Sequence, residues 1–446
     1  MTGAPAPAGP SDPHRLRAHA RDIFDAALAA GDVRPLVHAA LAEAPPSPGR
    51  LIVVGAGKAS GAMAAAAEEA LGDRITDGLV VVKDGCAVPT RRIRIVEAAH
   101  PVPDERGARA AREIHALASS AGADDGVLVL LSGGGSALTP APTPPTTLAE
   151  KQALTRLLLA AGADIGQLNA VRKHCSLLKG GQLTRAAAPA RVHALLLSDV
   201  IGDPIDVIAS GPTAPDESTF AQAMGILARF DIRDQVPASI VRRLQAGMRG
   251  EVDETPKPGD PMFERVDNRV IGNNALVVGA AEARARALGL APHVLTRALA
   301  GEARAAARRF AGLARDIRAG RGPVAPPACV VAGGETTVTV SGHGRGGRCQ
   351  EFALAAALEL DGMDGVVVLA AGTDGTDGPT DAAGGLADGT STARARAQGV
   401  ALAAHLADND AHGALDALGD LVVTGPTRTN LLDLYLLLVL PSASSA

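Results

Sequence analysis

Aromatic residues are almost missing from this chain: 446 residues include no Trp, one Tyr (Tyr435) and six Phe, 2% in all. That scarcity excludes a stacking platform for single-stranded bases, and a formal net charge of -5 offers no general attraction to a phosphate backbone, so no nucleic-acid partner is expected. The four cysteines, Cys86, Cys175, Cys329 and Cys349, form no CxxC pair. Neither a zinc ribbon nor a disulfide framework is indicated, and they read as reduced thiols of a cytoplasmic protein. No segment approaches about 18 apolar residues free of Gly, Pro or charge, which argues against a membrane span. The opening MTGAPAPAGPSDPH lacks the basic start and apolar run of an export signal.

Apolar residues make up 47% and charged residues 20%, a globular composition whose core must be aliphatic and Ala-rich. The length favours two domains. Residues 1–13 are rich in Pro, Ala and Gly and read as disordered; 14–245 read as a first α/β domain. The segment 246–267, dense in Pro, Gly and acid, reads as the linker, and 268–441 as a second α/β domain.

Short aliphatic runs that break into glycine loops organise both halves. Leu51 to Val54 leads into Gly55-Ala56-Gly57-Lys58-Ala59-Ser60-Gly61 and an Ala-rich helix, a strand, loop and helix that would bring backbone N–H groups and Lys58 to an anion. Ser60 stands where a dinucleotide GxGxxG needs its last Gly, and the spacing is too short for GxxxxGK[ST]. Val127 to Leu131 runs into Ser132-Gly133-Gly134-Gly135-Ser136, where N–H groups and two hydroxyls converge on a phosphate or carboxylate. Leu138 replaces the glycine that a serine-hydrolase elbow requires, so the loop binds rather than attacks. His100, followed by Pro101 and Pro103, reads as part of a structural turn.

Asn169 suits a helix N-cap. From it Arg172, Ser176 and Lys179 recur at helical spacing and share one face, with Gly180-Gly181 continuing the helix and suggesting close approach by another backbone or a ligand. The strand Ala194 to Leu197 ends in Ser198, Asp199, Gly202, Asp203 and Asp206, carboxylates at a strand end where a divalent cation or proton acceptor fits. In the second half, Gly333-Gly334-Glu335-Thr336 and Thr337 to Val340 suggest a strand pair. Arg348 opens a helix after Gly344-Arg345-Gly346-Gly347, against the helix dipole, which hints at an anionic ligand. The Asp/Gly run from Gly372 to Gly385 lacks the closing Glu of an EF-hand. Anion loops and acidic strand ends together equip phosphoryl transfer.

Long ordered motifs then match a known family: GAGKAS at Gly55, HPVPDERG at His100, LLSGGGSAL at Leu130, LNAVRKHCSLLKGG at Leu168, SDVIGDPIDVIASGPT at Ser198, GGET at Gly333, GRGGRCQE at Gly344 and GTDGTDGPTDAAGG at Gly372. Over nearly everything from about residue 15 to 440 the chain resembles the class II glycerate 2-kinases, whose C-terminal part is the MOFRL domain. The resemblance implies a Rossmann-like α/β/α first domain, an α/β MOFRL-type second domain, a catalytic site in the cleft between them, and ATP with Mg²⁺ as donor. It implies Lys58 and Arg348 as charge stabilisers. Asp199 is the candidate for metal ligand or base, with Asp203 and Asp374 behind it as metal ligands. D-glycerate is expected near Ser132, Gly133, Gly134, Gly135 and Ser136 or near Asn169, Arg172 and Lys179, and the nucleotide near Gly55, Gly57, Gly333, Glu335, Gly346 and Gly347. Where the family reads TGPTGTN, this chain has Arg428 in Thr424-Gly425-Pro426-Thr427-Arg428-Thr429-Asn430. Some relatives carry the label hydroxypyruvate reductase, which would require a nicotinamide site; a non-catalytic sugar-acid sensor is a third reading. Oligomeric state stays open, a homo-oligomer included.

Overall fold

A computed structural model describes residues 13–43 and 49–442. The segment expected to be disordered lies outside those residues except for Pro13, which begins the helix Pro13–Ala30. Two units emerge. A continuous unit spans Val33–Gly272, and a split unit joins residues up to Asp32 with those from Asn273 onward.

The continuous unit is built on a six-stranded sheet of order β3-β2-β1-β4-β5-β6, with strands β1 (Leu51–Ala56), β2 (Ile75–Lys83), β3 (Arg94–Ala98), β4 (Gly126–Leu131), β5 (Arg191–Leu197) and β6 (Val266–Gly272). All neighbours are parallel. β1 and β4 are buried along their whole length, which is why both read as unbroken aliphatic runs rather than alternating ones. Strand order reverses between β1 and β4. Their C-terminal loops therefore flank the switch-point crevice of a doubly wound sheet, the usual ligand position in this architecture. The helices Leu148–Ala160, Ile165–His174, Phe220–Arg229 and Ala238–Met248 form a separate apolar cluster around Leu154, Val171, Phe220 and Ile240.

The expected boundary at 246–267 is not one. Residues 249–260 are a loop of the continuous unit, tied back by Thr255 and Lys257 to Asp216, and β6 pairs with β5 as that sheet's edge. The chain crosses between units after Asp32 and after Gly272. Composition marked a polar loop, but strand pairing decides membership.

The split unit holds a mixed sheet of order β11-β10-β9-β12-β8-β7, with β7 (Ala291–Leu299), β8 (Ala328–Gly334), β9 (Val366–Gly372), β10 (Gly384–Asp388), β11 (Leu421–Val422) and β12 (Asp433–Val439). Only β7 and β8 run parallel. Its core uses three of the rare aromatics: Phe352 lies 5.1 Å from Phe310 and 4.9 Å from Tyr435 between ring centres. Helix Pro13–Ala30 belongs here, where Arg17 pairs with Asp388 and Asp420. Thr337 to Val340 forms no strand pair; a single bridge joins Thr337 to Glu302, and Val340 is exposed. β10, unforeseen, is built from glycines because a Cβ on Gly384 would sit 1.9 Å from the Ala370 carbonyl oxygen. Among the described residues no helix is long and apolar enough to cross a membrane, and the four cysteines are free thiols.

Candidate functional site

In the continuous unit the loop after β1 is locked onto the loop after β4. The amide of Gly57 donates to the Val81 carbonyl, that of Lys58 to Gly133 at 2.8 Å, and that of Ala59 to Ser132 Oγ at 3.0 Å. These donors are spent inside the protein. A Cβ on Gly55 would stand 2.2 Å from the Leu130 carbonyl oxygen and one on Gly57 2.1 Å from Ser132 Oγ, so both glycines serve close packing, not the open amide cradle expected of them. Ser132, expected at the substrate, is fully buried and its hydroxyl also meets Ser60 Oγ at 3.0 Å. It clamps the loop.

The turn beyond is only partly open, with Gly133 buried and Gly134 half-buried. The bonds closing it use the amides of Ser132, Gly135, Ala137 and Leu138, and those of Gly133 and Gly134 take no part. Gly134 has φ 84°, and a Cβ there would be 3.0 Å from the His100 ring and 3.6 Å from the Lys58 side chain. Gly133, Gly134, Lys58 and His100 thus meet at the switch point. His100 was set aside on its prolines; its position at the end of β3 was the available signal.

Ser136 anchors a second group. Its hydroxyl accepts from Arg172 Nη2 at 2.8 Å and lies 2.8 Å from Ser210 Oγ, which donates to Asn169 Oδ1 at 3.1 Å. Lys179 Nζ donates to the Ser136 carbonyl at 2.7 Å. Ala209 (φ 51°), Ser210 (φ 64°) and Gly211 (φ 63°) are consecutive left-handed residues, a strain of about 1–2 kcal/mol for each non-glycine. Arg172 and Lys179 do meet, though not as one helix face. The helix is capped by Asp164, not Asn169, and ends at His174. Gly180 and Gly181 are left-handed and donate to the carbonyls of Ser210 and Gly211, which is the close backbone approach that their sequence suggested.

Beyond β5, Asp199 and Asp203 are half-buried on one loop, with Asp203 at φ 56°. Asp374, in the split unit, accepts from the Thr376 amide at 3.0 Å. Among the described residues no group of three or more His, Cys, Asp or Glu is arranged to hold a metal. Mg²⁺ needs less than that, since it keeps several waters and takes one or two carboxylates plus phosphate oxygens.

In the split unit Arg348 has protein partners. Its Nε and Nη2 bind Asp433 at 2.6 and 2.8 Å and its Nη1 meets Glu335 at 2.9 Å. Asp433 is buried and also accepts from Tyr435 at 3.0 Å, whereas Glu335 is exposed. The helix N-terminus beneath is satisfied by Asp377, which accepts from the amides of Cys349 and Gln350; burial pushes its carboxyl up to about 6. The dipole conflict seen in the sequence is resolved by that acid. Gly333 and Gly347, expected at the nucleotide, pack where a Cβ would come within 1.8 Å of Asn274 Oδ1 and 2.3 Å of Asp377 Cγ, and Gly346 lies against Ala411. The preceding loop spends its amides on one tripeptide: Ser341 and Gly342 donate to Asn409 Oδ1, His343 to Asp408 and Arg345 to Asp410. Arg428 is exposed at φ 61°, which explains the glycine usual there.

A doubly wound sheet with a glycine-rich turn at its switch point, in one chain with a mixed-sheet unit, defines a class of two-unit α/β enzymes. A family model described as a domain of unknown function (DUF4147) matches residues 19–245 and one for the MOFRL family matches 328–433. The chain is 46% identical to a protein of Agrobacterium vitis named as a hydroxypyruvate reductase, over 94% of this chain and 93% of that one. It is 43% identical to the D-glycerate 2-kinase of Thermotoga maritima, over 87% and 91%. A crystal structure of glycerate kinase from Thermotoga maritima superposes with a TM-score of 0.86 at 41% identity, covering 96% of this chain and 100% of that one. The chain belongs to the family of MOFRL-domain glycerate 2-kinases.

Proposed function

We propose that the chain is a glycerate 2-kinase that transfers the γ-phosphoryl group of ATP to the 2-hydroxyl of D-glycerate, giving 2-phosphoglycerate and ADP. One observation carries the reading beyond family membership: Arg172 and Lys179 converge on Ser136, beside a glycine turn in which Gly134 lies against the side chains of His100 and Lys58. These three side chains take the substrate carboxylate, held by charge-assisted hydrogen bonds. The amides of Gly133 and Gly134 with Lys58 take phosphate oxygens, where charge grows during transfer. In the split unit Arg348 is a further candidate for a phosphate, which would displace exposed Glu335 while Asp433 keeps the guanidinium oriented. Asp199 receives the hydroxyl proton or, with Asp203, holds Mg²⁺. Bound Mg²⁺ supplies neutralisation of the phosphate oxygens. Four free thiols support a cytoplasmic site of action.

The name of the Agrobacterium vitis relative favours a second reading, a nicotinamide-dependent reductase. Against it stands the first glycine loop, whose Ser60 hydroxyl and Ala59 amide are bound to Ser132 where a dinucleotide pyrophosphate would sit. Purified protein with D-glycerate, ATP and Mg²⁺ is expected to form the 2-phosphate and no 3-phosphate. Hydroxypyruvate-dependent oxidation of NADH or NADPH without ADP release would overturn the kinase reading. A folded Lys58→Ala variant with full kcat would remove Lys58 from the mechanism.

A further inference from the structure

Among the described residues, the basic groups around Ser136 have no matching acid. Lys151, on the helix Leu148–Ala160, is 4% exposed and Lys179 is 1% exposed. Each Nζ donates to backbone carbonyls: Lys151 to Pro140, and Lys179 to Ser136 and Thr139. Arg172 completes the trio, with Nη2 on Ser136 Oγ and a buried Nε that has no hydrogen-bond partner. Carboxylates in the region are engaged elsewhere. Asp216 holds Lys173, Ser218 and Thr255, Asp206 lies 3.7 Å from Lys173, Glu254 holds His174, and Glu150 caps its own helix and meets Ser239. The remaining titratable neighbours are Cys175, whose thiol burial pushes up to about 11, and Arg243, which donates to the His174 carbonyl. Three basic side chains therefore cluster around Ser136, the two lysines buried and Arg172 half-buried, with no counterion among the described residues.

Electrostatics sets the consequence. Like charges in a low-dielectric site repel strongly, and burial adds to the cost of each. Burial, with Arg172 beside it, pushes the Lys151 amine down to about 7, and burial beside Lys151 and Arg172 takes that of Lys179 well below its usual value. An anion that reaches the orphan Arg172 Nε reverses this balance by supplying the missing negative charge.

We propose that the pocket of Ser136, Lys151, Arg172 and Lys179 binds a small carboxylate anion together with a proton, drawn from solvent onto the Lys151 and Lys179 pair as the anion enters. The inference rests on the reading of this pocket as the site of the substrate carboxylate. An amine lone pair takes the proton, and the ammonium so formed faces the carboxylate. Affinity then falls as pH rises above the empty pocket's titration, by about tenfold per pH unit at the limit of one proton. The ligand carboxylate, with a pKa near 4, does not titrate in that range.

The test is calorimetric titration of the full chain with D-glycerate, without nucleotide, at pH 8 in buffers of differing ionisation enthalpy. The expected result is an apparent heat that rises with buffer ionisation enthalpy, corresponding to uptake of about half to one proton, and a Kd that weakens several-fold from pH 7.5 to 8.5. Lys151→Met should take up fewer protons and flatten the pH dependence; should it fail to fold, the wild-type titrations decide alone. A buffer-independent heat with a pH-independent Kd overturns the proposal. If D-glycerate turns over to 2-phosphoglycerate yet binds with no proton uptake, the kinase reading stands and this inference falls. If D-glycerate does not bind but L-lactate does, with proton uptake, the inference stands and the glycerate reading falls.

Discussion

The Arg348 and Asp433 pair can be dismantled one charge at a time. Asp433 is 1% exposed at its side chain and receives two guanidinium hydrogen bonds, at 2.6 and 2.8 Å. Arg348→Met leaves that carboxylate buried with no cation beside it and only the Tyr435 hydroxyl and the Cys349 thiol as neutral donors, and losing one member of a buried pair costs about 3–5 kcal/mol. Removing both charges avoids the orphan. Arg348→Met with Asp433→Asn should therefore regain all but about 1 kcal/mol, a coupling that a double-mutant cycle isolates. Activity should not follow stability. If Arg348 stabilises charge on the transferred group, both variants lose turnover on the order of a hundredfold to a thousandfold. Urea unfolding followed by tyrosine fluorescence reads the split unit alone, because Tyr435 is the chain's one Tyr and there is no Trp. A single variant as stable as the double one would refute the burial argument, and a double variant with wild-type turnover would take Arg348 out of the chemistry.

Gly57→Ala should cost about 3 kcal/mol, since its Cβ would meet Ser132 Oγ at 2.1 Å and the Ser132 carbonyl at 2.5 Å with φ at 149°; an unchanged unfolding midpoint with weakened ATP binding would restore the cradle role. Arg428→Gly relieves a left-handed arginine at φ 61° and should stabilise the split unit by up to about 1 kcal/mol, read as a higher Tyr435-detected midpoint. Asp377, with its carboxyl raised from 3.8 to about 6 by burial, binds its proton more tightly in the folded state. The split unit should thus lose up to about 3 kcal/mol as pH rises from about 4 to 6. Asp377→Asn should abolish that slope, and an unchanged slope in the variant would show that another group produces it.

The alternation of strand and helix was legible because both sheets are covered and their central strands are continuous aliphatic runs. So was the convergence of Arg172 and Lys179, though for the wrong geometric reason: the helix stops at His174 and a left-handed glycine turn brings Lys179 back. Glycines were the ambiguous letters. Gly57, Gly333 and Gly347 lack side chains because another part of the protein fills the space, and a sequence gives no distance to that neighbour. Lys151 was invisible as well, since a lysine in an amphipathic helix looks solvated until its depth is known. The allocation of Pro13–Ala30 and β6 depended on long-range pairing that no local pattern encodes.

The split path of the chain also sets a timetable. β12 lies between β9 and β8 in its sheet, yet Asp433–Val439 is the last strand in chain order. As the polypeptide leaves the ribosome, all strands of the continuous unit precede Asn273 and can pair at once, while β8 and β9 wait without their common partner. Helix Pro13–Ala30, synthesised first, waits longest for the sheet on which it ends up. A premature stop before Asp433 should therefore spare one half of the molecule and leave the other with two aliphatic strand edges exposed, a template for self-association rather than for a milder loss of activity.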